Sequence, residues 1–65
     1  MKEMPTMNAA EKATCEMILN EGVVLQKFDG FSKEGIHVEC WSVEYLGEKY
    51  TMTKNNGEWI YFLHN

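Results

Sequence analysis

Asn56-Gly57 is the pair of residues that most restricts what this chain can become. Two residues that tolerate positive φ, set between segments of alternating polar and apolar side chains, specify a two-residue type I′ hairpin turn. Such a turn fixes register, because a slip of one residue exchanges the face of every side chain in the strand. Gly47-Glu48 supplies a second turn upstream, read as type II′ with glycine first. The first turn then opposes Tyr45 with Tyr50, Val43 with Met52 and Trp41 with Lys54. The second opposes Lys54 with Trp59, Met52 with Tyr61 and Tyr50 with Leu63. Both registers put the same residues of the shared middle strand on one face, as a β-meander requires.

One face then carries Trp41, Val43, Tyr45, Tyr50, Met52, Trp59, Tyr61 and Leu63. The other carries Cys40, Ser42, Glu44, Thr51, Thr53, Ile60, Phe62 and His64. The first is nearly continuous apolar surface, and the second is mixed. Strands are expected near 36–45, 49–54 and 58–63. Val23-Val24-Leu25-Gln26-Lys27-Phe28 reads as a further strand, 23–28, rich in β-branched and aromatic residues; the alternative is a helix continuing past Gly22. Phe31 to Gly35 is either a long connection or a hairpin loop with Phe31 tucked against the sheet.

Before this region lies a helix over 9–21. Asn8 and Glu11 form an Asn-x-x-Glu capping box. Ala10, Ala13, Thr14, Met17 and Ile18 fall on one stripe, with Lys12, Glu16 and Asn20 towards the other side. Gly22 is placed as the left-handed residue that ends it. Three turns cannot stand alone, so the stripe must rest on the sheet. The fold class is therefore α+β: one N-terminal helix packed on one face of a three- to four-stranded antiparallel β-meander. Residues 1–7 read as a flexible start, in which Met4 and Met7 either pack under the helix or lie on the surface, and 8–65 read as a single domain. The expected core is Met17, Ile18, Trp41, Val43, Tyr45, Met52, Trp59, Tyr61 and Leu63.

A chain of 65 residues has a small core and little stability to spare. The only two cysteines, Cys15 and Cys40, and an opening Met1-Lys2-Glu3 with no secretory apolar stretch, lead to the expectation of a cytoplasmic chain with free thiols. No segment approaches the roughly 18 apolar residues that span a bilayer. The net charge of −4 is spread over single residues, the six basic residues are all isolated lysines, and arginine is absent. That argues against nucleic acid, which calls for a clustered basic footprint.

Chemistry finds little footing in the pattern. His37 and Cys40, three apart in a strand, point to opposite faces, and no paired-ligand spacing joins Cys15 or His64 to them, so no metal is expected. Cys15, Cys40, Ser32 and Ser42 are potential nucleophiles with His37 or His64 as base, yet no nucleophile-elbow pattern holds any pair together. The glycines are scattered turn residues with no phosphate-loop spacing. The expectation is no catalytic residue, no cofactor and no small-molecule substrate. What the alternation leaves unexplained is a second sheet face that one helix cannot cover. Val38, Thr51, Thr53, Ile60 and Phe62, rimmed by Glu44, are the expected partner-binding residues. They suit a small regulator or inhibitor of the sort phage and mobile elements encode, binding another protein or a second copy of itself. The alternative is a nucleic-acid-binding module that stacks bases on the aromatic sheet face.

Overall fold

Asn8 and Glu11 form the reciprocal cap that their spacing suggests. The Asn8 side-chain carbonyl accepts from the Glu11 amide at 2.8 Å, and the Glu11 carboxylate accepts from the Asn8 amide at 2.9 Å. Helix α1 follows over Ala9–Glu21. The structure, a computed structural model, describes residues 7–64. After α1 come four strands: β1 (Val23–Phe31), β2 (His37–Tyr45), β3 (Glu48–Asn55) and β4 (Glu58–His64). Each pairs antiparallel with the next, in the order β1-β2-β3-β4. The result is the α+β arrangement expected, an open meander with α1 on one face, β1 at one edge and β4 at the other. Of residues 1–7, for which a flexible start was expected, all but Met7 lie outside the described residues, Met4 included. Met7 is half-buried against the core.

Gly22 ends the helix by a different physical route from the one its type suggests. Its φ of −85° and ψ of −179° are extended, not left-handed, and its amide donates to Ile18 O at 2.8 Å. What requires glycine is space. A Cβ there would lie 2.6 Å from Val43 Cγ1, 2.7 Å from the Ile18 carbonyl oxygen and 2.8 Å from the Glu44 carbonyl oxygen. Two of those neighbours are backbone and cannot swing aside. Gly22→Ala should therefore lower stability by roughly 1–3 kcal/mol, the range for forcing atoms into a filled site. A fall in the denaturant midpoint at constant slope would show it.

The β2–β3 turn is centred on Leu46-Gly47, with φ of 52° and 80°, a type I′ geometry one residue earlier than the Gly47-Glu48 assignment. Tyr45 consequently opposes Glu48, Val43 opposes Tyr50 and Trp41 opposes Met52. The pairing differs by two residues from the expected one, so the division into faces survives. Leucine is poorly suited to this conformation, which costs an L-residue roughly 1–2 kcal/mol. Its side chain is 82% exposed and contributes almost no packing. Leu46→Asn should thus raise stability by about 1 kcal/mol, since asparagine tolerates this region of φ; an unchanged or lower melting point would contradict that.

Asn56-Gly57, with φ of 50° and 82°, forms the expected β3–β4 turn. Asn56 also extends the sheet: its amide donates to His37 O at 2.7 Å, and its side-chain carbonyl accepts from the His37 amide at 3.0 Å. Between β1 and β2 the chain makes a hairpin loop around Ser32, whose Oγ accepts from the Glu34 and Ile36 amides, each at 3.2 Å. β1 runs on to Phe31, three residues past the expected end. Phe31 is not tucked in; it stacks on the His37 ring at 5.1 Å and stays exposed.

β4 departs from simple alternation. Lys54 opposes Trp59, but Thr53 opposes Tyr61, so Ile60 is an extra residue, a β-bulge. Beyond it Met52 opposes Phe62 and Tyr50 opposes His64. A bulge of one residue exchanges the faces of everything that follows. Phe62 thereby comes to the helix side and stacks on Tyr50 at 5.5 Å. Tyr61 and Leu63, expected in the core, are turned to the open side and are each 46% exposed.

The core consists of Cys15, Ile18, Trp41, Val43, Met52 and Trp59, with Met7, Leu19, Tyr45, Tyr50 and Phe62 packed against it. Met17, also expected there, is exposed. The helix carries Cys15, Met17, Ile18 and Leu19 close together, and the sheet selects the stripe through Cys15, Ile18 and Leu19. Polar side chains flank that stripe and tie it down. Glu16, expected towards solvent, accepts from Trp59 Nε1 at 2.8 Å and pairs with Lys54 at 3.6 Å. Tyr45 donates to Glu21 at 3.0 Å, and Lys12 meets Glu58 at 3.4 Å. The Lys54 ammonium lies 4.6 Å from the Trp59 ring centre, and Trp59 meets Trp41 at 5.3 Å. Helix and sheet are joined through this aromatic and ionic seam.

Candidate interaction surface

Cross-strand pairing lays out the face that α1 does not cover. One row reads Phe28, Cys40, Thr53, Tyr61 from edge to edge, and the next reads Gln26, Ser42, Thr51, Leu63. Val38, opposite Gly30, begins a third. Small side chains thus occupy the two central strands. Large ones stand on the edges, Phe28 on β1 and Tyr61 with Leu63 on β4. The face is a shallow trough with apolar walls. Thr53 Oγ1 donates to Cys40 Sγ at 3.4 Å within it.

Four of the six expected partner-binding residues share this face by register: Val38, Thr51, Thr53 and Glu44. Ile60 is the bulge residue and is half-buried. Phe62 is on the opposite side and belongs with the core. Phe28, Tyr61 and Leu63 take its place as the large side chains of the open face. Nothing in the residues Trp59-Ile60-Tyr61 marks a bulge: no glycine, proline or asparagine interrupts them. The exchange was therefore hidden until the pairing was known.

β1 is unusual within the sheet. It pairs with β2 at every residue but Leu25, yet every residue in it except Gly30 is exposed. Val23, Val24, Leu25, Phe28 and Phe31 make up most of the large apolar side chains that the described fold leaves in solvent. A bulge at Leu25, between the Val24 and Gln26 pairs, leaves Gln26 to Phe31 regular. A long apolar edge strand presents unpaired amides and carbonyls together with uncovered side chains, and natural sheets generally avoid that combination.

On the helix side of β1, beyond the seam, lies an ionic group. His37 Nε2 and Asp29 Oδ1 are 2.6 Å apart, and Asp29, His37 and Glu39 each bring one ligand-type atom within 4.8 Å of the others. The Lys27 ammonium stands 3.8 Å from Asp29 and 3.8 Å from Glu39. It supplies the counter-charge that a cation would otherwise bring. Exposed pairs of this sort contribute at most about 1 kcal/mol each. The pattern His37-x-Glu39 was visible in the sequence, but its partner Asp29 could be found only through the β1–β2 register. His37 and Cys40 do lie on opposite faces, and His64 joins neither; it pairs with Glu48 at 2.7 Å.

The thiols are separated likewise. Cys15 is fully buried under the helix, and Cys40 is half-buried on the open face, so the sheet stands between them. Burial, with the charges of Glu16 and Glu11, pushes the Cys15 thiol up to about 11, well above the ordinary 9.0. The unfolded thiol ionises first, so stability from this source is intact below about 9 and is lost as pH rises towards about 11. Of the other side chains that could act as nucleophiles, Ser32 is bound into its loop and Ser42 sits in the trough, away from either histidine by register.

No described helix is long and apolar enough to cross a membrane. No family model, curated protein or solved structure matches this chain.

Proposed function

We propose that this chain is a non-enzymatic protein-interaction module that binds a partner protein through the uncovered sheet face. The observation that carries this reading is the placement of Phe28, Tyr61 and Leu63 as apolar walls around a trough of small side chains. An apolar ridge or helix from another protein fills such a trough, and aromatic walls are the side chains most often central to binding energy. Occupying a partner's surface is how a regulator or inhibitor works without chemistry of its own. Free thiols fit a cytoplasmic setting.

The lysine distribution disfavours nucleic acid as the ligand. Lys27 and Lys54 lie over tryptophan rings on the helix side, and Lys49 is opposite Glu44. Among the described strands only Lys49 shares the open face, set against Glu44, so its aromatic residues lack the clustered basic footprint that phosphate contacts demand. The test is affinity capture with the wild-type chain and with Tyr61→Ser/Leu63→Ser, at low and high salt, alongside binding to labelled single-stranded DNA and RNA. The expected result is a protein retained by the wild type at both salt concentrations, lost by the double variant, and no nucleic-acid binding. Salt-sensitive binding of DNA or RNA, or a partner held equally by the variant, would overturn the reading.

A further inference from the structure

Extending that reading to the β1 edge, we propose that β1 pairs with β1 of a second copy of this chain, antiparallel and centred on Phe28, so that four strands from each copy form one continuous sheet.

The sequence of β1 is self-complementary about that residue. With Phe28 opposite its own copy, Lys27 of each chain faces Asp29 of the other, Gln26 faces Gly30, and Leu25 faces Phe31. Opposite charges meet twice, and apolar side chains meet in both remaining large pairs. Directly opposed residues of opposite charge stabilise an antiparallel pair, and like charges in that position destabilise it. A shift that put Lys27 opposite Lys27, or Asp29 opposite Asp29, would lose this match. The pairing also gives partners to the backbone amides and carbonyls of β1 that point away from β2, in about four to six new hydrogen bonds with the copy. The bulge at Leu25 of each copy falls at an end of the paired stretch and leaves Gln26 to Gly30 regular between them. In β4, the other edge, the bulge at Ile60 falls within the strand and interrupts any equivalent ladder.

The dimer alters the surface assigned to the partner. Phe28 is on the open face, opposite Cys40. Two copies of it would meet at the centre of the joined sheet, with a trough on either side and Tyr61 and Leu63 at the two far edges. A single shallow face becomes a double one with an aromatic ridge along its axis.

Charge exchange tests the register directly. Lys27→Asp alone sets carboxylate against carboxylate at both charged positions of the joint, and Asp29→Lys alone sets ammonium against ammonium. Mixing the two variants restores opposite charges at every position. Sedimentation equilibrium should show a wild-type dimer, association at least tenfold weaker for each variant, and recovery in the equimolar mixture. A wild type that stays monomeric at millimolar concentration, variants that associate as well as the wild type, or a mixture no better than its components would each overturn the proposal. A trapping experiment covers loss of folding in those variants. In a Cys40→Ser chain treated with diamide, Phe28→Cys should form a covalent dimer and Gln26→Cys should not, because only the residue on the two-fold axis meets itself. The reverse outcome, or no covalent dimer from Phe28→Cys, would refute the Phe28-centred pairing. These results leave the open-face reading to its own test, since partner capture is scored on Tyr61 and Leu63.

Discussion

Trp59→Ala abolishes the cooperative unfolding transition. Trp59 is almost fully buried, packs on Trp41 and stands beneath the Lys54 ammonium, and it donates its indole N–H to Glu16 across the helix–sheet seam. Truncating a buried tryptophan costs about 3–5 kcal/mol through lost transfer energy and the cavity left behind. Here the cost grows, because Glu16 loses its donor and Lys54 loses a ring. A domain of this length holds only a few kcal/mol in total. Circular dichroism on heating should show a broad, non-cooperative change and weak near-ultraviolet signal at every temperature. A sharp transition within a few degrees of wild type would mean that the seam is not what joins helix to sheet.

Phe62→Ala and Leu63→Ala separate the two faces of β4. Alternation alone would make Leu63 the core residue and Phe62 the surface one. The bulge at Ile60 reverses them: Phe62 packs into the core cluster against Tyr50, which His64 flanks at 4.7 Å on its own stack. Phe62→Ala should cost about 3 kcal/mol, at the low end for a buried aromatic because the site is partly open. Leu63→Ala should cost less than about 1 kcal/mol, since roughly half of the side chain is already in water and the substitution leaves no closed cavity. Denaturant midpoints compared at equal slope decide it. If Leu63→Ala were the more damaging, the register of β4 would be wrong and the open face would lose both of its β4 walls.

The parts of this fold that could be read from residue types are those held by local chemistry. Asn8 and Glu11 are spaced for their cap, and Asn56-Gly57 can hardly be anything but a type I′ turn. Alternation in β2 and β3 follows, because both strands are free of bulges where they pair with each other. The β2–β3 turn is placed one residue off because Gly47 can serve in either position of a tight turn, and Leu46 at positive φ runs against preference. The missing information is tertiary: the core accepts Trp41 opposite Met52, and the turn adapts to it. Gly22 illustrates the same limit. A glycine after a helix suggests a left-handed end, whereas its use here is to let Val43 and the Glu44 carbonyl approach.

The candidate surface was half visible for a related reason. Val38, Thr51, Thr53 and Glu44 lie on segments where period two holds, so their shared face could be deduced. Tyr61, Leu63 and Phe62 lie beyond an unmarked bulge. Phe28 precedes Asp29-Gly30, a dipeptide of turn type that lies inside β1, and the loop beyond it closes around Ser32 through its side-chain oxygen and backbone bonds with Gly35 and Ile36. The same gap concealed Asp29 beside His37 and Glu39.

The central claim is that β1 is a contact edge and not a solvent edge, and amide hydrogen exchange along Gln26 to Phe31 tests it most directly. In an antiparallel edge strand alternate amides point away from the sheet and have no partner within the chain. At dilute concentration those outward amides should exchange freely while their neighbours, bonded to β2, stay protected. With rising protein concentration the outward set should slow by at least tenfold, and the inward set should change little. If the outward amides of β1 exchange at the unprotected rate across the whole concentration range, the edge is open to solvent in the native molecule and the account is contradicted.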